Sequence, residues 1–233
     1  MRALLLAAGY GTRLRPLTDR IPKCLVPVRG RPLLDYWLEL LLPGDIEVVL
    51  VNTHYFAEKV SDFVSASRWS GRVTLVHEES LLGTGGTILR NRAFFRNEAF
   101  LVAHADNLTR FNVRAFIARH ANRPAGTVIT MMTFASDTPQ TCGIVLEDAE
   151  GIVQEFHEKV PNPPGIRANG AVYIFEPEVI QFLDSLGKSV INLSTEVLPH
   201  YLGRICTFFN SDYHRDIGST ESLQKAEFEF PQS

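Results

Sequence analysis

Cysteine is scarce and odd in number. The 233-residue chain has three, Cys24, Cys142 and Cys206, and no two form a CxxC pair. That spacing speaks against a zinc ribbon or a disulfide framework and fits a reducing compartment, so a cytoplasmic location is expected. Long apolar runs are also lacking. No stretch reaches the roughly 18 residues that a membrane span needs. The opening MRALLLAAGYGTRLRP puts one Arg before an apolar run. That run, Ala3–Ala8, is too short for a signal-peptide core, and Gly and Arg follow at once. No fixed repeat period is present. With 45% hydrophobic and 21% charged residues, disorder, collagen and coiled coil are excluded.

The net charge of −3 is small, but its distribution is uneven. Residues 1–31 carry Arg2, Arg13, Arg15, Arg20, Lys23, Arg29 and Arg31 against Asp19 alone. A local basic cluster in an acidic chain suits a small, highly charged anion. Duplex DNA selects a basic face spread over a whole domain, so no nucleic-acid partner is expected. A solvated basic loop is the plainer alternative and stays open on charge alone.

Short apolar runs alternate with amphipathic segments. Arg2–Ala7, Ile46–Val51, Val73–Val76, Ala99–Ala103 and Thr127–Thr133 read as buried strands. Pro32–Leu42, Tyr55–Ala66, Thr87–Phe95 and Val113–Ala121 read as helices between them, the third opened by Gly83–Gly86. This order predicts an α/β fold, a mostly parallel sheet with helices on both faces. After residue 134 the rhythm turns to α+β. Gly143–Leu146, Ile152–His157, Ala168–Phe175, Ile205–Phe209 and Tyr213–Asp216 read as strands. Pro177–Leu186, Thr195–Leu202 and Ser219–Glu227 read as helices. No Ser/Gly-rich linker appears. One domain is expected, 1–233, with a nucleotide-binding half at 1–134 and a second half at 135–233.

The first strand runs into Ala8-Gly9-Tyr10-Gly11-Thr12-Arg13-Leu14. Ligands bind at the carboxyl ends of strands in such folds, and glycines let backbone N–H groups approach phosphate. A P-loop would need Gly-Lys-Ser/Thr, and Arg13-Leu14 follows Thr12 instead. A dinucleotide fingerprint would need a third glycine opening a helix. Leu14 holds that place and Pro16 blocks an ordinary helix. The run continues as Arg15-Pro16-Leu17-Thr18 and then Pro22-Lys23-Cys24-Leu25-Val26-Pro27-Val28. Taken together, these segments strongly resemble the signature of sugar-nucleotide pyrophosphorylases, the transferases that join an NTP to a sugar 1-phosphate. The look is closest to the mannose-1-phosphate guanylyltransferase type.

The resemblance implies the nucleotidyltransferase fold, a Rossmann-like mixed sheet. It implies that Leu6, Ala8, Gly9, Gly11 and Thr12 line the nucleotide. Arg13 would hold the β- and γ-phosphates, and Lys23 would bridge the α-phosphate and the attacking sugar phosphate. Arg supplies a bidentate fork and Lys a movable point charge. The plainer reading of Lys23 is a solvated loop lysine.

Leu82-Gly83-Thr84-Gly85-Gly86-Thr87 is similar to the family's Leu-Gly-Thr-Ala-Gly segment, which contacts base and ribose. Gly83 and Thr84 carry over, and Glu79 just before them could accept from a guanine edge. By itself the segment also reads as a helix opening whose free N–H groups and dipole attract anions, or as an ordinary N-cap. His104-Ala105-Asp106-Asn107 and His214-Arg215-Asp216-Ile217-Gly218 both end strands. Strand-end carboxylates suit Mg²⁺, and the family's two metal aspartates carry over to Asp106 and Asp216. His104-Ala105 stands where a small residue and Gly are usual. A His/Asp transition-metal centre fits phosphate chemistry less well. A kinase reading fails, because Glu221 stands where the catalytic-loop Asn would be. Either Asp could instead cap a helix.

On the sugar side, Glu158-Lys159 followed by Asn169-Gly170-Ala171-Val172-Tyr173 resembles the family's Glu-Lys-Pro and Asn-x-Gly-x-Tyr segments, with Val160 replacing Pro. By that likeness Glu158 takes sugar hydroxyls, Lys159 the sugar phosphate, and Asn169, Asn107 and the Gly143 backbone face the sugar. Thr195 and Glu196 lie where late sugar contacts fall. A surface Glu-Lys ion pair is the plainer alternative.

The function read from this is Mg²⁺-dependent transfer of a nucleotidyl group from an NTP to a sugar 1-phosphate, giving NDP-sugar and pyrophosphate. GTP with mannose 1-phosphate, or a related heptose phosphate, is the first choice. Uridylyl, thymidylyl or cytidylyl transfer is the second, the last with room for a non-sugar phosphate. A nucleotide-sensing module without turnover is the reading from another class. It predicts loss of Arg13, Lys23 or an Asp, and all four remain. No membrane partner is expected, and a homo-oligomer is left open. The motifs occupy Leu5 to Gly218, which suggests a minimal catalytic core.

Overall fold

The structure is a computed structural model and describes residues 1–231. Along the chain, β1 (Arg2–Leu6) is followed by three single 3₁₀ turns and the short strands β2 (Pro27–Val28) and β3 (Arg31–Pro32). Then come α1 (Leu33–Leu41), β4 (Val48–Thr53), α2 (Ala57–Ala66), β5 (Val73–His77), α3 (Gly83–Arg90), β6 (Phe100–His104), β7 (Asn107–Arg110) and α4 (Val113–Ala121). The rest is β8 (Ile129–Ala135), β9 (Gly143–Glu147), β10 (Val153–Glu158), β11 (Arg167–Phe175), α5 (Glu178–Ser185), β12 (Ile205–Phe209), β13 (Tyr213–Asp216) and α6 (Thr220–Glu229). The fold is mixed α/β, a largely parallel sheet flanked by helices.

Two compact units interleave along the chain. The first takes Met1–Leu81, Ala103–Phe111 and the chain from Asp212 onward; the second takes Leu82–Val102 and Asn112–Ser211. In the first unit β1, β4 and β5 pair in parallel, Leu4 opposite Leu50 and Leu50 opposite Thr74. Their continuous apolar runs follow from that: Ala3, Leu4, Leu5, Val49 and Val51 are all buried. Leu33, Leu34, Trp37, Leu38 and Leu41 form the buried stripe of α1 at helical spacing. A small apolar cluster of Leu14, Val26, Val28, Leu33, Leu108, Ile217, Ala226 and Phe230 ties residues 14–28 to α1, β7 and α6. That cluster places the first half of the site.

In the second unit β11 pairs antiparallel with β8 and β9, β9 with β10 likewise, and β12 runs parallel to β8. Two helices differ from the expected bounds by more than two residues. The third starts at Gly83, four residues early, and gives way to a 3₁₀ turn at Arg92–Phe95. Between 193 and 202 there is no α-helix. A wide turn, Leu193–Val197, is followed by a 3₁₀ turn, Leu198–Tyr201, because Pro199 has no N–H to continue an α ladder. β7 adds a strand that local pattern does not announce; its partner is β13.

His120 lies buried in the second unit. Its Nδ1 is 2.7 Å from Thr130 Oγ1 and its Nε2 is 3.2 Å from Glu176. Burial and the Arg123 charge push its pKa down to about 4, against the pull of Glu176. The folded state therefore prefers neutral His120. Its stability contribution is complete above pH 6.5 and shrinks as pH falls toward about 4. Between pH 7 and pH 5 the loss from this residue should be about 2 kcal/mol. Urea titrations of the wild type and His120→Gln at both pH values check it: the variant should lose about that much less. Equal losses would remove His120 as the acid-sensitive group.

Candidate active site

β1 leads into buried Ala7 and Ala8, and the chain then turns through Gly9-Tyr10-Gly11. Gly11 has φ +65, and a Cβ there would lie 2.9 Å from Thr18 Cγ2 and 3.1 Å from Lys23 Cβ. Its carbonyl accepts from Thr18 Oγ1 at 2.8 Å. Gly11 is thus needed for turn geometry and for packing on the Lys23 stem. Gly9 is different. Its φ is ordinary and a Cβ would meet nothing within 4 Å. The fold does not demand glycine there; open space beside the loop does suit close approach by a ligand.

Lys23 opens a 3₁₀ turn after Pro22, whose backbone is extended. Cys24 and Val26 are buried and draw the turn inward, so the Lys23 side chain is only 9% exposed. Its Nζ lies 2.5 Å from Asp106 Oδ2 and 3.4 Å from Asp216 Oδ1. Asp106 follows β6, where the Ala105 N–H donates to the Leu6 carbonyl at 3.0 Å beside the end of β1. Asp216 closes β13, and the β13–β7 ladder sets it opposite Asn107. It is not a helix cap: Ser219 caps α6 in a reciprocal box with Ser222. Asp216 Oδ2 also pairs with Arg13 Nη2 at 3.6 Å. Gly218 makes room for that pair, since a Cβ would lie 2.5 Å from Asp216 Oδ2 and 2.7 Å from Arg13 Nη2.

Gly9, Gly11, Thr12, Arg13, Lys23, Asp106 and Gly218 line one cavity of about 230 Å³. Its electrostatics are those of a charge cluster. Burial pushes the Asp106 carboxyl upward, but the Lys23 ammonium and the His104 ring hold it below the usual carboxylate range. Burial works against the charged form of Lys23, and the two carboxylates outweigh it and raise its pKa. Cys24 is no nucleophile, because burial pushes its thiol up to about 12. His214, partly buried on β13, is pushed down to about 3 by desolvation, with Asp106 opposing. Among the described residues no group of three or more His, Cys, Asp or Glu is arranged to hold a metal ion. The Asp106–Asp216 pair fits a hard cation that takes its other ligands from phosphates and water.

The remaining candidates of the first unit are not among the residues that line this cavity. Asn107 is buried, and its carbonyl accepts from Trp37 Nε1 at 2.8 Å. Leu6 and Ala8 belong to the strand end. Glu79 is exposed, next to buried Glu78.

In the second unit Gly83 and Thr84 begin α3, and the segment 189–193 covers that turn. The Gly85 and Gly86 N–H groups both donate to the Ile191 carbonyl, and Thr84 Oγ1 accepts from the Leu193 N–H at 2.8 Å. The helix opening therefore does not present those amides freely. Of the residues expected on the sugar side, Gly143, Glu158 and Asn169 lie on neighbouring strands. Glu158 pairs with Gly143 across β10–β9, and Ala168 with Ile144 across β11–β9. A Cβ on Gly143 would lie 2.6 Å from Phe156 Cζ and 2.7 Å from Glu158 Oε2, so a larger residue there would displace those side chains. Asn169 Nδ2 donates to Tyr173 Oη at 2.7 Å, and its Oδ1 accepts from the Ala171 N–H. Lys159, with φ +51, extends outward and lies 3.5 Å from Glu158. Glu196 instead pairs with Lys188 and caps the Asn192 N–H. Residues that the sequence pattern did not single out include Asn52 and Glu78, and it gave Gly218 and Tyr173 no role of their own. A polar residue near the end of a buried apolar strand, as Asn52 is, was the available signal.

A family model described as Nucleotidyl transferase matches residues 2–233. The mannose-1-phosphate guanylyltransferase of Mycobacterium tuberculosis is 32% identical across 95% of this chain and 62% of that protein. The UTP–glucose-1-phosphate uridylyltransferase of Synechocystis is 30% identical across 97% of this chain and 62% of that protein. The chain thus spans 62% of the length of both curated relatives. Among solved structures, HddC of Yersinia pseudotuberculosis complexed with GMP-PN superposes with a TM-score of 0.82 at 24% identity, over 99% of each chain.

Proposed function

This chain belongs to the Nucleotidyl transferase family, and we propose that it transfers a nucleotidyl group from an NTP to a sugar 1-phosphate. GTP with mannose 1-phosphate, or a related heptose phosphate, is the proposed pair. The observation that carries the reading is Lys23 held between Asp106 and Asp216, with Arg13 on Asp216, around the cavity beside Gly9 and Gly11. Such a cluster offers both signs of charge at a phosphate-sized space.

In the proposed reaction a sugar-phosphate oxygen attacks the α-phosphorus in line. The bond from that phosphorus to the oxygen bridging the β-phosphate breaks, and pyrophosphate leaves with the electron pair. The nucleophile is already an anion, so no general base is required. The Gly9–Thr12 backbone approaches the triphosphate. Arg13, whose side chain is 71% exposed, can swing to the β- and γ-phosphates. Lys23 neutralises charge at the α-phosphate and guides the incoming phosphate. Asp106 and Asp216 would hold Mg²⁺, which when bound neutralises phosphate charge. Glu158 and Asn169 would take sugar hydroxyls, Lys159 the sugar phosphate, and Glu79, Gly83 and Thr84 the base and ribose. The proposed compartment is the cytoplasm, where the free thiols of Cys24, Cys142 and Cys206 stay reduced. Among the described residues no helix is long and apolar enough to cross a membrane.

The relative from M. tuberculosis and the GMP-PN complex of HddC support guanylyl transfer. The Synechocystis relative, nearly as similar, favours uridylyl transfer as the second reading. The test mixes GTP, UTP, dTTP and CTP with mannose 1-phosphate, glucose 1-phosphate and a heptose phosphate in Mg²⁺ and follows pyrophosphate. The fastest release is expected with GTP and mannose or heptose phosphate. Silence in every combination would overturn the enzymatic reading in favour of a sensing module.

A further inference from the structure

Glu78 is buried, 2% exposed, just past β5. It meets the glycine loop from two directions. Before the loop, the Ala7 N–H donates to Asn52 Oδ1 at 2.7 Å, and Asn52 Nδ2 donates to Glu78 Oε1 at 3.1 Å. Within the loop, Tyr10 Oη lies 2.8 Å from His54 Nε2, and His54 Nδ1 lies 2.7 Å from the Glu78 carbonyl oxygen. A carbonyl only accepts, so Nδ1 carries the proton, and in the neutral ring Nε2 is left to accept from the Tyr10 hydroxyl. The Tyr10 and His54 rings also meet edge to face at 5.3 Å. Glu78 is itself anchored just past β5, its N–H donating to the Thr53 carbonyl at 2.8 Å.

We propose that Glu78 is a positioning residue that holds residues 7–10 ready for the triphosphate, its carboxylate acting through Asn52 and its carbonyl through His54. This rests on the nucleotidyl-transfer reading. The turn through Gly9 and Gly11 that these residues lead into has unusual backbone freedom, and binding would otherwise have to order it. Two tethers converging on one buried residue order it beforehand, which lowers the cost of binding. The carboxylate cannot help by touching phosphate, since like charges repel and burial closes it off.

The experiment compares Glu78→Ala, Glu78→Gln and Tyr10→Phe. Gln keeps an oxygen that accepts from Asn52, whereas Ala does not. Backbone amide exchange over residues 7–11 is read without substrate. The KM for the best NTP of the pyrophosphate assay and the Kd for GTP by calorimetry are read alongside it. In Glu78→Ala the amides should exchange about tenfold faster, and KM and Kd should rise about tenfold, with kcat within about twofold. Glu78→Gln should restore all three. Tyr10→Phe, at an exposed side chain, cuts only the second tether and should raise exchange and KM by a smaller factor. It also serves if Glu78→Ala does not fold. Unchanged exchange in both Glu78→Ala and Tyr10→Phe, or a kcat loss without a KM change, would overturn the proposal. Faster exchange in a protein whose wild type releases no pyrophosphate would fault the reaction and leave the tether standing.

Discussion

Lys23→Ala lowers the rate of pyrophosphate release by about 10²–10³-fold, the loss typical when a preorganised charge donor is removed from a reacting centre. The effect has two sources. The ammonium that would meet the α-phosphate is gone. The two carboxylates also lose the cation they share, since Asp106 and Asp216 both reach Nζ, and only Asp216 keeps a partner, in Arg13. Burial then dominates at Asp106. Its carboxyl, now held low by Lys23 and His104, should rise. The cost in stability should be about 1–2 kcal/mol. That is less than for a fully buried pair, because the Asp106 and Asp216 side chains are 33% and 53% exposed. Lys23→Arg should not rescue the rate, because a planar fork does not put a compact point charge where Nζ meets both Asp106 and Asp216. Single-turnover kinetics at saturating NTP separate chemistry from binding. A Lys23→Ala enzyme within threefold of wild type would remove Lys23 from the chemistry.

Gly86→Ala should cost about 2–4 kcal/mol of stability, although it changes one hydrogen to a methyl group. A Cβ at 86 would lie 2.1 Å from the Ser189 carbonyl oxygen and 3.1 Å from Leu82 Cβ, so backbone would have to shift to admit it. At Gly85 the same atom would meet Ile191 Cγ2 at 2.8 Å. Moving segment 189–193 away would also break the bonds from Gly85 and Gly86 to the Ile191 carbonyl. The glycines of α3 thus serve close packing of two backbones, whereas Gly9 leaves space beside a cavity. Thermal unfolding of Gly86→Ala is the check. A midpoint within about 2 °C of wild type would show that the segment yields easily and that the glycine is kept for something else.

Much of the local structure was legible because its determinants are local. Val113–Ala121, Ile205–Phe209 and Tyr213–Asp216 have the expected bounds. The helix among them has Asn112, whose side chain accepts from the Ala115 N–H, to mark its start. Lys23, Arg13, Asp106 and Asp216 could be named from their motifs. Other features follow from contacts with distant chain. β7 looks like a loop in sequence and becomes a strand only because β13 pairs with it. The start of α3 reads as a turn until Ile191 supplies its capping carbonyl. Glu78 reads as one of two adjacent acids, and only burial separates it from exposed Glu79.

The sequence by itself determined the alternation of buried strands and amphipathic helices, the glycine loop after β1, and which side chains carry charge there. Period and residue type suffice for those, since each depends on neighbours within a few positions. Only the tertiary structure decided that Asp106, 83 residues from Lys23, and Asp216, 193 residues away, share one ammonium. It also decided that Glu78 answers both sides of the loop. No local pattern encodes such meetings. They arise because the apolar cluster from Leu14 to Phe230 buries its surface most completely when the first, middle and last parts of the chain close together.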